Sequence, residues 1–281
     1  MELDRERIRK ICIKKNISGA SAAVIENGKV RQIEAVTAKT EDQAITEASV
    51  FQMGSVSKLV TAWAVLSLQK MGKLDIDDPV NKYLVRWKLE SKYGNADSIT
   101  IKMILAHYGG LNQKSYLGIS NADKLETTIQ YLNRKKVRAV YEPNIKPIYS
   151  GGGYTVLQLL IEEISGLEFS VFAEKFIFSP LDMNSSTFDA KKTDSDNLLN
   201  CYGFLGNRCK CYLYSQKAAA GLYSTIGDMS RFAIENMDPN NLVIGDMLEK
   251  LQKRYKRNSP NCLGCYAFSA SRKKLVASKG I

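Results

Sequence analysis

Residues 51–72 read FQMGSVSKLVTAWAVLSLQKMG, and the fold turns on how this stretch is read. Leu59, Val60, Ala62, Trp63, Val65, Leu66 and Leu68 leave hardly any polar face. The spacing predicts a helix from about Val56 to Met71, buried on nearly all sides. Lys70 in its last turn and Gly72 just past its end are ordinary stop signals. The start breaks a rule. With Ser55 as N-cap, Lys58 falls at the third helical position, where a capping box places Glu or Gln. An ammonium there opposes the helix dipole at a cost of about 0.3–1 kcal/mol. Breaks of this kind mark function.

Ser55 and Lys58 are three residues apart and share a helix face. A serine hydroxyl is a poor nucleophile until a base takes its proton, and a lysine is such a base only when neutral. Burial disfavours the ammonium and the helix N-terminus pushes the same way. The bland alternative is an N-cap serine with a lysine that snorkels to solvent. The tetrapeptide Ser271-Arg272-Lys273-Lys274 has the same S-x-x-K spacing in a polar segment, so spacing alone is weak and the buried setting of Ser55 separates the two.

The 281 residues, 44% hydrophobic, suffice for a sizeable core. No apolar run reaches the roughly 18 residues of a membrane span, and the charged start MELDRERIRKICIKK is unlike a secretory leader. A cytoplasmic protein is expected from the chain as given, or an extracytoplasmic one if a leader was removed. Forty Lys and Arg against 29 Asp and Glu give a net charge of +11. These charges are scattered and no nucleic-acid-binding motif accompanies them, so a solvated basic surface is expected and no nucleic-acid partner. Cys209 and Cys211 form C-x-C and Cys262 and Cys265 form C-x-x-C, with Cys201 nearby, which keeps zinc and disulfides as alternatives. Free interior thiols are the preferred reading, with no metal and no cofactor.

Along the chain, Ser18 to Ile25 and Val30 to Val36 read as strands joined by a type I′ turn at Asn27-Gly28. Helical signals follow at Ile99 to Ala106, Ala122 to Asn133 and Tyr154 to Ile164. Ser224-Thr225 with Asp228 opens a further helix to about Asn236. Leu263 to Phe268 and Lys274 to Ser278 look like short strands. Strands at both ends and helices between predict an α+β protein. Its antiparallel sheet, residues 1–73 and 218–281, is flanked by helices and interrupted by a mainly helical insertion, residues 74–217. The sole histidine, His107, lies in an apolar segment and reads as a structural residue. G-x-S-x-G is absent, which removes the α/β-hydrolase nucleophile elbow.

Five stretches in order carry a family resemblance: FQMGSVSKLVTAWAVLSLQKMGKLDIDDPVNKYL, ITIKMILAHYGGL, YSGGGYTVLQLLIEEISG, SPLDMNSSTFD and AAAGLYSTIGDMSRFA. Together they resemble the serine β-lactamase and penicillin-binding-protein family in its class C and esterase-like branch. The resemblance implies a β-lactamase/transpeptidase-like fold and a serine hydrolase that forms an acyl-enzyme on a small-molecule or peptide-like substrate. By the same resemblance Ser55 is the acylated nucleophile, Lys58 its base, and Tyr149 the tyrosine that relays the proton of the leaving group. Gly151 stands where β-lactamases of the family have Asn, which leaves esterase or D-amino-acid peptidase chemistry open. The third motif aligns best with Ser278-Lys279-Gly280, with Ser278 at the usual Lys or His position and Lys279 one place late. Ile281 would then carry the oxyanion amide. The family normally continues through two more strands and a helix, so a shortened relative is expected. The competing expectation is a catalytically impaired relative that binds in the same cleft.

Overall fold

The computed structural model describes residues 2–39, 43–112, 118–202, 208–209, 211–238, 240–241, 243–245, 249, 255–257, 261–264, 266–270 and 273–277. Helix α1 (Arg5–Lys14) starts at Asp4, whose side chain accepts from the Arg7 N–H and so satisfies a donor of the first turn. Strands β1 (Gly19–Glu26) and β2 (Lys29–Thr37) form the expected antiparallel hairpin. Asn27 at φ 53° and Gly28 at φ 71° supply the two left-handed residues of its turn. Strand β3 (Phe51–Gln52) leads into α2 (Ser57–Lys70), which is buried nearly throughout, with Trp63 fully enclosed. Its C-terminus closes as expected: the Gly72 N–H bonds Gln69 O and the Lys73 N–H bonds Leu68 O, a Schellman pair.

Beyond α2 come β4 (Glu90–Ser91), α3 (Ile101–Leu105), α4 (Thr128–Arg134), β5 (Arg138–Ala139), α5 (Gly151–Ser165) and α6 (Phe169–Ala173). Strands β6 (Cys201–Tyr202) and β7 (Arg208–Cys209) precede α7 (Lys217–Ala220), β8 (Tyr223–Ser224) and α8 (Ile226–Glu235). The chain ends its described part with β9 (Tyr266–Ala270) and β10 (Lys273–Ala277). The structure is α+β. The expected antiparallel sheet appears as pairs of strands: β1–β2, β3–β8, β6–β7 and β9–β10 are antiparallel and β4–β5 is parallel. Helices α1 and α8 both pack on the β1–β2 hairpin.

Several boundaries differ from the periodicity. The helix expected over Ala122 to Asn133 begins only at Thr128, because Thr127 and Gln130 form a capping box and the preceding turn is a separate 3₁₀ segment at Ala122–Lys124. The helix expected from Ile99 is shortened to five residues, since Thr100 caps it through the Met103 N–H. Conversely α5 starts three residues earlier than its apolar stripe, at Gly151, with the Ser150 hydroxyl accepting from the Gly153 N–H. Thr225 caps α8 as expected, accepting from the Asp228 N–H. Strand β9 starts at Tyr266, later than the expected Leu263, because buried Leu263 packs into the core and the Gly264 N–H bonds Leu105 O.

Cysteine is a correction. Free interior thiols hold for Cys12 and Cys262, both buried, but Cys201 and Cys211 are joined by a disulfide. The β6–β7 pairing brings the two segments together and leaves their Cα atoms 5.1 Å apart, within bridging range. Among the described residues no group of three or more His, Cys, Asp or Glu is placed to hold a metal. None of their helices is long and apolar enough to cross a membrane.

Candidate active site

The N-terminal end of α2 is built by a tight entry. The Val56, Ser57, Lys58 and Leu59 N–H groups bond Met53, Gly54, Ser55 and Val56 carbonyls in turn, each three residues back. This tight winding makes Val56 the N-cap, with no side-chain cap, so Ser55 lies one residue before it and Lys58 is the second helical residue rather than the third. The Ser55 hydroxyl is therefore not consumed in capping. It sits between two donors: Lys58 Nζ at 3.2 Å and Tyr149 Oη at 2.8 Å.

Lys58 does not snorkel; only 4% of it is exposed. Its ammonium also donates to Ala219 O at 2.7 Å and lies 4.8 Å from the Tyr149 ring centre and 5.5 Å from that of Tyr154. No carboxylate bonds it among the described residues, and desolvation pulls its pKa down from 10.5 to about 7. A lysine in that state exists as both acid and base near neutrality, which a proton shuttle at a serine requires.

Tyr149 immediately precedes the cap of α5 and is clamped on both sides by His107. The Ile148 N–H donates to His107 O at 2.8 Å and the Ser150 N–H to His107 Nδ1 at 3.2 Å. The imidazole ring lies 4.5 Å from the Tyr149 ring. Burial first, and then the nearby Lys58 charge, lower the His107 pKa from 6.5 to about 3. The ring is neutral, and because Nδ1 accepts, its proton is on Nε2. His107 itself has φ 63°, a left-handed conformation that turns the chain toward Gly109 and Gly110.

The structure thus brings Ser55, Lys58 and Tyr149 together, with Gly151 two residues beyond Tyr149 in the first turn of α5 and buried. Gly151 has no side chain to offer a substrate amide. Ser278, Lys279, Gly280 and Ile281 lie outside the described residues. Sequence reasoning missed the Ala219 carbonyl, since a backbone acceptor has no side-chain signature. Only the run AAAG in the fifth family-like stretch points to that segment.

A buried lysine and a tyrosine sharing one serine hydroxyl, on an α+β scaffold of this kind, define a β-lactamase/transpeptidase-like protein. The chain belongs to the beta-lactamase family, whose model matches residues 5–261. Among its relatives, penicillin-binding protein 4* of Bacillus subtilis (strain 168) is 26% identical over 174 residues, 59% of this chain and 37% of that protein. A teichoic acid D-alanine hydrolase of Staphylococcus aureus is 27% identical over 228 residues, 78% of this chain and 54% of that protein. The chain thus spans about a third to a half of the length of the curated relatives it matches. The octameric penicillin-binding protein homologue from Pyrococcus abyssi superposes with a TM-score of 0.81 at 22% identity, over 98% of this chain and 67% of that one. The D-amino acid amidase from Ochrobactrum anthropi SV3, complexed with L-phenylalanine, gives 0.79 at 19% identity, over 98% and 83%.

Proposed function

We propose that this chain is a serine hydrolase that works through an acyl-enzyme on Ser55, with an ester or amide of a D-amino-acid-like acyl group as substrate. One observation carries the proposal: the Ser55 hydroxyl lies within hydrogen-bond distance of both a buried lysine and a tyrosine. Lys58, neutral in part near pH 7, takes the Ser55 proton as Oγ bonds the carbonyl carbon. The tetrahedral oxyanion then collapses and the bond to the leaving group breaks, with Tyr149 passing a proton to the departing oxygen or nitrogen. Water enters by the reverse proton path, splits the Ser55 ester and restores the hydroxyl.

The backbone N–H of Ser55 is the first oxyanion donor in this reading and Ile281 the second, with Ser278, Lys279 and Gly280 lining the substrate. The substrate class rests on Gly151 and on the relatives. Without an amide side chain at that position a β-lactam amide is held less well, whereas an ester or a small amide needs less support. The relatives' names include a D-alanine hydrolase and a D-amino acid amidase. The division into residues 1–73 with 218–281 and residues 74–217 belongs to the same proposal, since it takes Ser55 and Lys58 from one part and Tyr149 from the other. We further infer an oxidising, extracytoplasmic setting from the Cys201–Cys211 disulfide. Thiol alkylation of protein isolated under acid quench reads that bond directly, and full labelling of both cysteines overturns the setting.

The test is covalent. A fluorophosphonate or penicillin-type probe should add its mass to Ser55, and Ser55→Ala protein should stay unlabelled. Absence of labelling in demonstrably folded protein overturns the hydrolase, and the competing reading of a binding relative, favoured by Ser278 in place of Lys or His, then stands.

A further inference from the structure

Lys58 is held in place by a carbonyl of α7, and α7 is too short to hold itself. It has four residues and no side-chain cap of its own: Gln216 at its N-cap makes none. A helix that short leaves its first N–H groups without partners. The partner comes from another helix. Gln158, in the middle of α5 and only 2% exposed, turns its Oε1 to the Ala218 N–H at 3.0 Å, where a cap would be. Its Nε2 donates to Ser215 O at 3.1 Å and to Thr128 Oγ1 at 2.9 Å. All three hydrogen-bonding groups of the amide are then used, and its orientation is fixed, because the backbone N–H can meet only the oxygen and the backbone carbonyl only the nitrogen.

The other end of α7 grips α2. Ala218 O accepts from the Thr61 hydroxyl at 2.8 Å and Ala219 O from Lys58 Nζ at 2.7 Å. Behind Gln158, the Thr128 hydroxyl donates to Glu162 Oε1 at 3.1 Å. An unbroken set of contacts therefore runs from α4 through the Gln158 side chain to the α7 carbonyl that carries the lysine.

We propose that Gln158 is a positioning residue for Lys58: by capping α7 from α5 it fixes the Ala219 carbonyl, and with it the place and protonation of the lysine beside Ser55. This rests on the hydrolase reading for its effect on acylation, but not for its effect on the lysine. Nothing in the S-x-x-K or tyrosine motifs calls for a glutamine here; an apolar residue would satisfy the helical stripe of α5. Among the described residues, the titratable groups that face Lys58 are Tyr149, Tyr154 and His107. Gln158 itself does not titrate, so its removal takes no charge from beside Lys58, and its link to the Ala219 carbonyl runs through α7.

The test compares the full-length parent with Gln158→Met, which keeps volume and loses all three hydrogen bonds, and Gln158→Glu, which keeps the acceptor for Ala218. The Lys58 side chain is titrated by NMR through its 13Cε signal, a reading that needs no catalysis. In Gln158→Met the midpoint should move by about half a pH unit or more, because the carbonyl that favours the ammonium is no longer held. Probe labelling of Ser55 should slow by about tenfold at saturating probe, with the probe concentration for half-maximal rate unchanged. Gln158→Glu should retain most of the plateau rate if its fold tolerates the charge. A Lys58 midpoint and plateau rate equal to the parent's in folded Gln158→Met overturn the proposal. If the parent itself does not label, the hydrolase reading has failed, and the NMR titration still decides the role of Gln158. If Gln158→Met does not fold, Gln158→Leu, which likewise loses all three hydrogen bonds, serves as the test protein, and a lysine midpoint and plateau rate there equal to the parent's overturn it as well.

Discussion

Tyr149 and Ser55 are separated by 94 positions in the chain, yet the Tyr149 phenol donates to Ser55 Oγ across 2.8 Å. The contact joins the residue before the cap of α5 to the entry of α2. It is sustained from behind by His107, which pins both neighbours of Tyr149, and from below by the Lys58 ammonium under its ring.

Tyr149→Phe removes this hydroxyl and little else. The ring contacts to His107 remain, so thermal unfolding should shift by the equivalent of about 1 kcal/mol or less. Labelling of Ser55 should slow by roughly 10²–10⁴-fold, the usual range for loss of a positioned proton carrier. An unchanged rate would remove Tyr149 from the proton path.

Lys58 makes two pH predictions. Acylation should rise as pH passes through about 7, where the lysine gives up its proton, and Lys58→Arg, which stays charged, should lose that limb and most of the rate. For stability the sign is opposite to that of an ion-paired lysine. The folded value is below the unfolded 10.5, so between about 7 and 10.5 the unfolded chain binds more protons and stability rises with pH. The burden of the buried charge at neutrality is on the order of 4 kcal/mol. Lys58→Met should therefore match or exceed the parent in urea unfolding near pH 7, although it strands Ala219 O, and that advantage should shrink toward about pH 10.

His107 should matter through geometry and at acid pH. Asn at this position tolerates the positive φ and places Oδ1 where Nδ1 accepts from Ser150. His107→Asn should keep labelling within about tenfold, while His107→Leu leaves a buried N–H unpaired and should cost roughly 1–3 kcal/mol with a larger loss of rate. Because the folded histidine titrates at about 3 against 6.5 in the unfolded chain, the parent should lose stability as pH falls through that window. His107→Asn should lose less over the same range, as read by unfolding at a series of pH values.

Gly264 closes the core beneath the site. Its φ is +76°, and a Cβ there would lie 2.8 Å from Ala62 Cβ, 2.9 Å from Lys58 O and 3.3 Å from Tyr154 Oη. Gly264→Ala combines a strained backbone with a push on the helix that carries Lys58, and should destabilise by about 2–3 kcal/mol. A thermal shift of less than a degree would mean that this loop moves aside freely.

The buried helix of residues 57–70, the Asn27-Gly28 hairpin and the Thr225 cap were legible in the sequence because each depends on residues adjacent along the chain. Spacing of apolar side chains, a left-handed pair and a hydroxyl next to a free N–H act locally. The Thr127 capping box was equally local and was hidden by an apolar pattern that ran through it. Ser55 and Lys58 stood out as a pair for the same reason, as a cation placed where the helix dipole disfavours one. Whether that pair is a cap with a solvated lysine or a nucleophile with its base depends on which chain segments cover it. That is a matter of tertiary structure. Burial lowers the lysine pKa, Ala219 gives it an acceptor, and His107 fixes the phenol, and these groups come from positions 219, 107 and 149, each brought in by packing. The sequence by itself determined the helix and the Ser55–Lys58 pair at its start. Only the tertiary structure decided their surroundings, because desolvation and hydrogen bonding at a point in space are set by residues far apart in the chain.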